Sequence, residues 1–387
     1  MRLSTALYFL LYLDDSEDGL SIEEKRRRDR RIPRVALRNY YDSPFMCLHS
    51  SGNDQALLNC CACDHVVFAE LLHHFDPYFN AYAFDDWTCK IRKMKLTKYG
   101  RKYGRQRDMN SVGCLGLVLC WYRTRGSSAR SMSLAFGQTS SPLYKWLKFG
   151  KIMLLLALQD VECAKVKLPD REMIESFQKA IAAKYPSLPN VWAAVDGLKL
   201  SIKVSGNYLK QNNFHNGWTH GHYINSIYAF SPDGKIRAAL INAPGVWHDS
   251  TQAECGVHAK LQKMFLLHGA KAVVDAAFGM ANRPYLIKSS QVDPVGDFEV
   301  VTVNRAATSA RQLSEWGMRT IQAQFPRLKD PLDFEEKGER KITLQLMLYL
   351  YNYQVSKVGI NQILNSFMAN QGCYGRKIDA DANNVFL

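Results

Sequence analysis

The sequence predicts an α/β domain: a mixed sheet of three antiparallel strands followed by parallel strands, with flanking helices, preceded by an all-helical region. Three observations predict it. Residues 191–241 hold β-rich runs joined by Ser231-Pro232-Asp233-Gly234, a strong hairpin turn, so adjacent antiparallel strands are expected. Beyond residue 250, runs with helical and strand character follow one another, the pattern of parallel strands covered by helices. Residues 111–158 read as helix throughout.

The totals set limits on what such a chain can do. With 387 residues, 47% hydrophobic and 22% charged, it can bury a sizeable core, as one large domain or two to three smaller ones. Fifty Lys and Arg against 36 acidic residues leave a net charge of +14. That excess favours a polyanionic partner, since each neutralised phosphate releases a counterion. The 10 cysteines follow no regular framework, which fits a reduced protein better than a disulfide scaffold. An apolar run at residues 6–13 is followed by Asp14-Asp15-Ser16-Glu17-Asp18 with no small-residue cleavage pattern, so no secretion signal is expected. Residues 152–158 are too few to span a bilayer, and no membrane association is expected.

Taken in order, residues 1–45 read as a basic, loosely structured segment. Lys25, Arg26, Arg27 and Arg28 open a cluster that suits nuclear import or contact with nucleic acid, or is simply a solvated charge run. Residues 46–110 read as a helical region with a basic linker. A helix over 56–76 carries Cys60, Cys61, Cys63 and His65, whose spacing matches no common zinc finger and reads as buried small thiols. Residues 90–107 include Lys93, Lys95, Arg101 and Lys102, interleaved with Tyr99 and Tyr103. They form either a strap for phosphates with stacking tyrosines or a surface linker.

Residues 111–165 read as a helix-turn-helix-like helical domain. Helices are expected over 112–122 and 131–136, then a turn at Gly137. Ser140-Ser141-Pro142 caps a third helix bearing Lys145 and Lys148. That is the outline of a DNA-reading motif, and equally of any small helical bundle.

Residues 190–370 form the last unit. Strands are expected over 191–204, 223–230 and 236–241, a helix over 250–267, a short buried strand over 270–274, and a fifth strand over 299–303. A long helix over 308–325 and a helical stretch over 340–370 complete it. This is the element order of an RNase H-like domain.

Three carboxylates stand out against that frame. Asp196 lies inside the first strand among apolar residues, where an unpaired charge is costly, and Gly197 leaves room for close approach. Asp275 ends the buried fourth strand, where open α/β sheets place their ligands. Glu315 lies mid-helix in the last long helix, with Leu313, Trp316 and Ile321 on or near its apolar side, so that it can face the sheet. Three converging carboxylates repel unless a cation neutralises them, and hard oxygen donors select Mg2+ or Mn2+. Such ions polarise an attacking water or 3′-hydroxyl and stabilise the leaving oxygen of a phosphoryl displacement. Taken singly, each acid also reads as a cap or a surface residue. His215, His220 and His222 sit in a loop over 212–221 that reads as a polar hairpin, with a zinc or substrate site as the alternative. Neither a Ser-His-Asp elbow nor a phosphate-cradling glycine loop is found.

Residues 190–330 resemble the DDE endonuclease domain of PIF/Harbinger-type transposases and their domesticated relatives. The resemblance rests on Asp196-Gly197, the Pro244-Gly245-Val246-Trp247-His248-Asp249-Ser250 element, the strand-terminal Asp275, and Glu315-Trp316-Gly317 followed by Phe325. Leu198 stands where that family commonly has Thr, and Val274 where it commonly has Gly. The resemblance implies Asp196, Asp275 and Glu315 as catalytic, metal-holding residues, with Asp249 as a further ligand and His248 as an accessory group. It implies a Mg2+- or Mn2+-dependent DNA endonuclease or transposase acting in the nucleus, with a Myb-like DNA-binding accessory protein as a plausible partner and homo-oligomerisation possible. The other expectation is a domesticated or decayed copy that serves as a non-catalytic DNA-binding or protein-interaction module.

Overall fold

A computed structural model describes residues 32, 34–84, 91–94, 107–126, 129–204, 211–217, 220–247, 253–254, 256–275, 277–278, 283–288, 298–334, 337–358 and 362–368. The basic cluster at 25–31, together with Lys95, Arg101, Lys102, His248 and Asp249, lies outside the described residues.

The N-terminal half is helical, as its periodicity predicts. Helices α1 (Pro44–Ser50), α2 (Asp54–Cys61) and α3 (His65–Ala81) lead to a small hairpin of β1 (Tyr82–Phe84) and β2 (Ile91–Lys93). Residues 56–76 are therefore two helices rather than the single one expected. Ala62 adopts φ 58° and closes α2 in the left-handed region, and the Asp64 side chain accepts from the Val67 amide to start α3. Cys61, the last residue of α2, and Cys63, inside the break, are buried, and the described cysteines are free thiols.

Then come α4 (Ser111–Arg123), α5 (Ala129–Phe136) and α6 (Ser140–Asp160), with Gly137 at φ 61° making the α5–α6 turn. Helix α6 runs through the core rather than along the surface. Leu143, Leu147, Phe149, Met153, Leu154 and Leu158 are buried, and in its first turns only Ser141 and Tyr144 are fully exposed. Lys148 is turned to Glu339, at 3.2 Å, and Lys145 is half-buried.

After α7 (Arg171–Lys184) comes the sheet: β3 (Val191–Ser201), β4 (His215–Asn216), β5 (Gly221–Phe230), β6 (Ile236–Pro244), β7 (Lys271–Val274) and β8 (Leu286–Lys288), with α8 (Val257–His268) between β6 and β7. Strand β5 pairs antiparallel with β3, β4 and β6, while β7 runs parallel to both β3 and β8. Leaving out the two-residue β4, the spatial order is third, second, first, fourth, fifth strand. This mixed sheet with flanking helices is compatible with an RNase H-like domain. The β5–β6 turn forms where expected, with Gly234 at φ 80° and the Ser231 amide donating to Lys235 O at 3.1 Å.

Two expected elements differ. Residues 299–303 are not a strand but part of α9 (Phe298–Ala310), and the fifth strand is Leu286–Lys288. The β-branched run Val300-Val301-Thr302-Val303 has strand propensity, yet Thr302 turns its hydroxyl back to Phe298 O at 2.8 Å and the helix holds. The long helix over 308–325 is interrupted at Arg311, which separates α9 from α10 (Gln312–Gln324).

Strand alternation sends side chains to two cores. Ala193, Val195 and Val274 pack toward Phe177 of α7 and Leu261 of α8. Ala194, Leu198 and Val273 pack on the opposite face with Leu313, Met318 and Ile321 of α10. Helices α11 (Lys337–Val358) and α12 (Gln362–Met368) are the last described elements, and α11 lies against both β6 and α6.

Candidate active site

Strand register alone brings two of the three singled-out carboxylates together. In the parallel β3–β7 ladder Val195 pairs with Val274. One residue further, Asp196 and Asp275 are neighbours. Both are also one step past residues whose side chains enter the α7/α8 core, so both point to the other face, toward α10. Strand β7 ends there, while β3 continues to Ser201 paired with β5, and the Leu332 amide donates to Ser201 O at 2.9 Å at its far end. The aspartates therefore stand at a step in the sheet, at the carboxyl end of a parallel pair. Gly197 contributes its amide to Asp196 Oδ1 at 2.8 Å, orienting that carboxylate.

A cation already stands between them. Arg311, at the break between α9 and α10, places Nη2 3.8 Å from Asp196 Oδ2 and Nη1 3.3 Å from Asp275 Oδ1. The side chains are only 17%, 21% and 36% exposed for Arg311, Asp196 and Asp275, so solvent screens this trio less than a surface pair. Sequence reasoning missed Arg311. The available signal was its place four residues before Glu315 on the same helical run, the spacing that puts two side chains on one side.

Glu315 is in the first turn of α10, its amide donating to Arg311 O at 3.2 Å. Its side chain is exposed. The buried stripe of α10 is Leu313, Ser314, Gly317, Met318 and Ile321, and Glu315 lies on the flank of that stripe. Among the described residues no three His, Cys, Asp or Glu side chains gather within reach of one metal ion.

The segment leading to His248 and Asp249 leaves from the same end of the sheet. Pro244 ends β6 opposite Ile224. Gly245 follows where a Cβ would collide with the Tyr223 carbonyl. The Trp247 amide donates to Pro244 O at 3.2 Å, and Asn225 Nδ2 donates to Trp247 O at 3.4 Å, which closes the turn against β5. His215 and His222 face each other across the β4–β5 ladder, with ring centroids 5.3 Å apart and Gln211 at 2.9 Å from His222 Nε2, a polar hairpin end. Of the basic residues singled out, Lys93 is exposed on β2.

As a donor set, two carboxylates sharing one guanidinium are arranged to neutralise a cation placed between them, and oxygen donors of this kind fit Mg2+ or Mn2+. Comparison with known proteins agrees with that chemistry. Residues 195–352 match the family model described as DDE superfamily endonuclease. The match begins one residue before Asp196, includes Asp275 and Glu315, and covers less than half of the chain. No curated protein and no solved structure matches the chain.

Proposed function

We propose that this chain is a divalent-metal-dependent DNA endonuclease of transposase descent, of the PIF/Harbinger type, acting in the nucleus. The observation that carries the proposal is the β3–β7 register, which sets Asp196 beside Asp275 with both carboxylates on one cationic group. Asp196 and Asp275 would hold Mg2+ or Mn2+, with Glu315 and Asp249 as the remaining oxygen donors. The ion, when bound, would activate a water or 3′-hydroxyl and stabilise the leaving oxygen. The chain's own residues would hold the pieces in place: Gly197 orients Asp196, Asp275 follows directly on the end of β7, and α10 carries Glu315 in its first turn. The net charge of +14 supports a nucleic-acid substrate. The basic cluster from Lys25 to Arg28 and the segment with Lys93, Lys95, Arg101 and Lys102 are the proposed phosphate contacts, with Lys145 and Lys148 of α6 in a site-finding role. A Myb-like accessory protein and self-association belong to the same reading.

The test is a nicking assay on supercoiled DNA with Mn2+, comparing the full chain with Asp196→Ala. Loss of an outer-shell partner of a metal ligand already costs 10–100-fold, so loss of the ligand itself is expected to cost more than about a hundredfold. DNA affinity is expected to stay the same or rise slightly, because a negative charge is removed. If both proteins bind DNA and neither nicks it, the chain is a non-catalytic binding module.

A further inference from the structure

Arg311 holds the two aspartates by ion pairs, and its Nε is buried without a hydrogen-bond partner among the described residues. A guanidinium keeps its charge at any working pH, so it cannot leave these carboxylates by losing a proton. A divalent cation and Arg311 therefore seek the same oxygens, and two cations side by side in a partly buried step repel. A guanidinium fork is also the group best matched to a phosphate, which offers it two oxygens in one plane. Arg311 is the N-cap of α10, in the break that separates it from α9, so the guanidinium is carried at a helix junction and not on a continuous helix. Glu315, one turn on, is exposed and not committed to the buried stripe.

We propose that Arg311 competes with the divalent cation for Asp196 and Asp275, so that the site is self-inhibited until a DNA phosphate draws the guanidinium away. This rests on the metal-dependent reading above. Metal and DNA binding are then positively coupled: each raises affinity for the other, because each relieves the same ion pairs. The arrangement keeps the chain from assembling a cutting centre on free metal alone.

The experiment measures Mn2+ binding to the full chain by following the free-ion electron paramagnetic resonance signal, with and without a short DNA duplex. Wild type, Arg311→Gln and Asp196→Asn are compared. Without DNA, Arg311→Gln is expected to bind Mn2+ about tenfold more tightly than wild type. The duplex is expected to tighten Mn2+ binding to wild type by a larger factor than to Arg311→Gln. Equal or weaker Mn2+ binding by Arg311→Gln, with wild-type binding that Asp196→Asn abolishes, overturns the competition and leaves the metal site standing. Mn2+ binding that is absent from wild type and Arg311→Gln alike, with and without the duplex, or that is unchanged in Asp196→Asn, overturns the metal-dependent reading and the competition with it. If Arg311→Gln does not melt cooperatively, Arg311→Lys decides. A point charge in place of the fork is expected to bind Mn2+ more tightly than wild type by a smaller factor, and unchanged or weaker binding overturns the proposal.

Discussion

At the scale of single residues, the site depends on positions where one atom more or one charge fewer would matter. Gly317 is one. A Cβ there would run into the ring of Phe230, which is fully buried on β5, so α10 can lie this close to the sheet only with glycine. Gly317→Ala is expected to cost about 1–3 kcal/mol of stability, seen as a lower melting temperature. It is also expected to reduce nicking, because the same helix carries Glu315 and begins at Arg311. His258 is another. Burial holds its pKa down at about 4, with the Arg283 cation as the second cause, and Arg283 Nη1 donates to its Nε2 at 2.5 Å. The folded pKa lies below the unfolded value, so the neutral ring's contribution is complete above about pH 6.5. It is lost as pH falls toward about 4, up to about 3 kcal/mol. Thermal melts from pH 7 to pH 4 should show His258→Gln losing less stability than wild type over that window. The two aspartates were legible as residues because an acid inside an apolar strand needs a reason. Arg311 was not, because an arginine in a helical run reads as ordinary surface until the strands reveal what it faces.

At the scale of elements, each helix on the sheet is fastened by a few polar atoms as well as by its apolar stripe. Asn352 of α11 is fully buried. It accepts from the Ile236 amide at 2.8 Å and donates to Ile236 O at 3.0 Å and Lys165 O at 3.2 Å. It ties α11 to the first residue of β6 and to the chain entering α7. Asn352→Ala is expected to destabilise by about 2–4 kcal/mol in denaturant melts, since it strips three hydrogen bonds and leaves buried backbone groups unpaired. Strand and helix existence was readable wherever period and punctuation agreed, as in β3, β5, β6, α4 and the Gly137 turn. It failed at 299–303, where a β-branched run is helical and the place beside β7 belongs to β8. It failed also at Ala62 and Arg311, breaks that contain neither glycine nor proline, the first marked only by the capping Asp64.

Over the whole molecule, the N-terminal helices and the sheet share one hydrophobic cluster that includes Tyr40, Phe68 and Leu154 as well as Leu198, Ile321 and Tyr351. Tyr122 of α4 donates to Thr343 O of α11 at 2.7 Å, and Lys151 of α6 reaches Thr343 Oγ1 at 3.2 Å in the same buried layer. A fragment of residues 190–370 would expose the side of α11 that α6 covers. We expect it to bind a hydrophobic dye and to lack a cooperative melt, while the full chain melts as a unit. A cooperative melt of the fragment would show that the sheet needs no cover from α6. Readable from sequence alone were the mixed α/β class, the first four large strands in chain order, and the two aspartates as candidates. These follow from side-chain period, from turn chemistry and from the cost of burying a charge, all of which are local. It took the packed fold to show that strand register sets Asp196 beside Asp275, that Arg311 lies between them and that Glu315 is exposed. Those outcomes depend on how far one element slides or turns against another, and that is set by packing among residues remote in the chain.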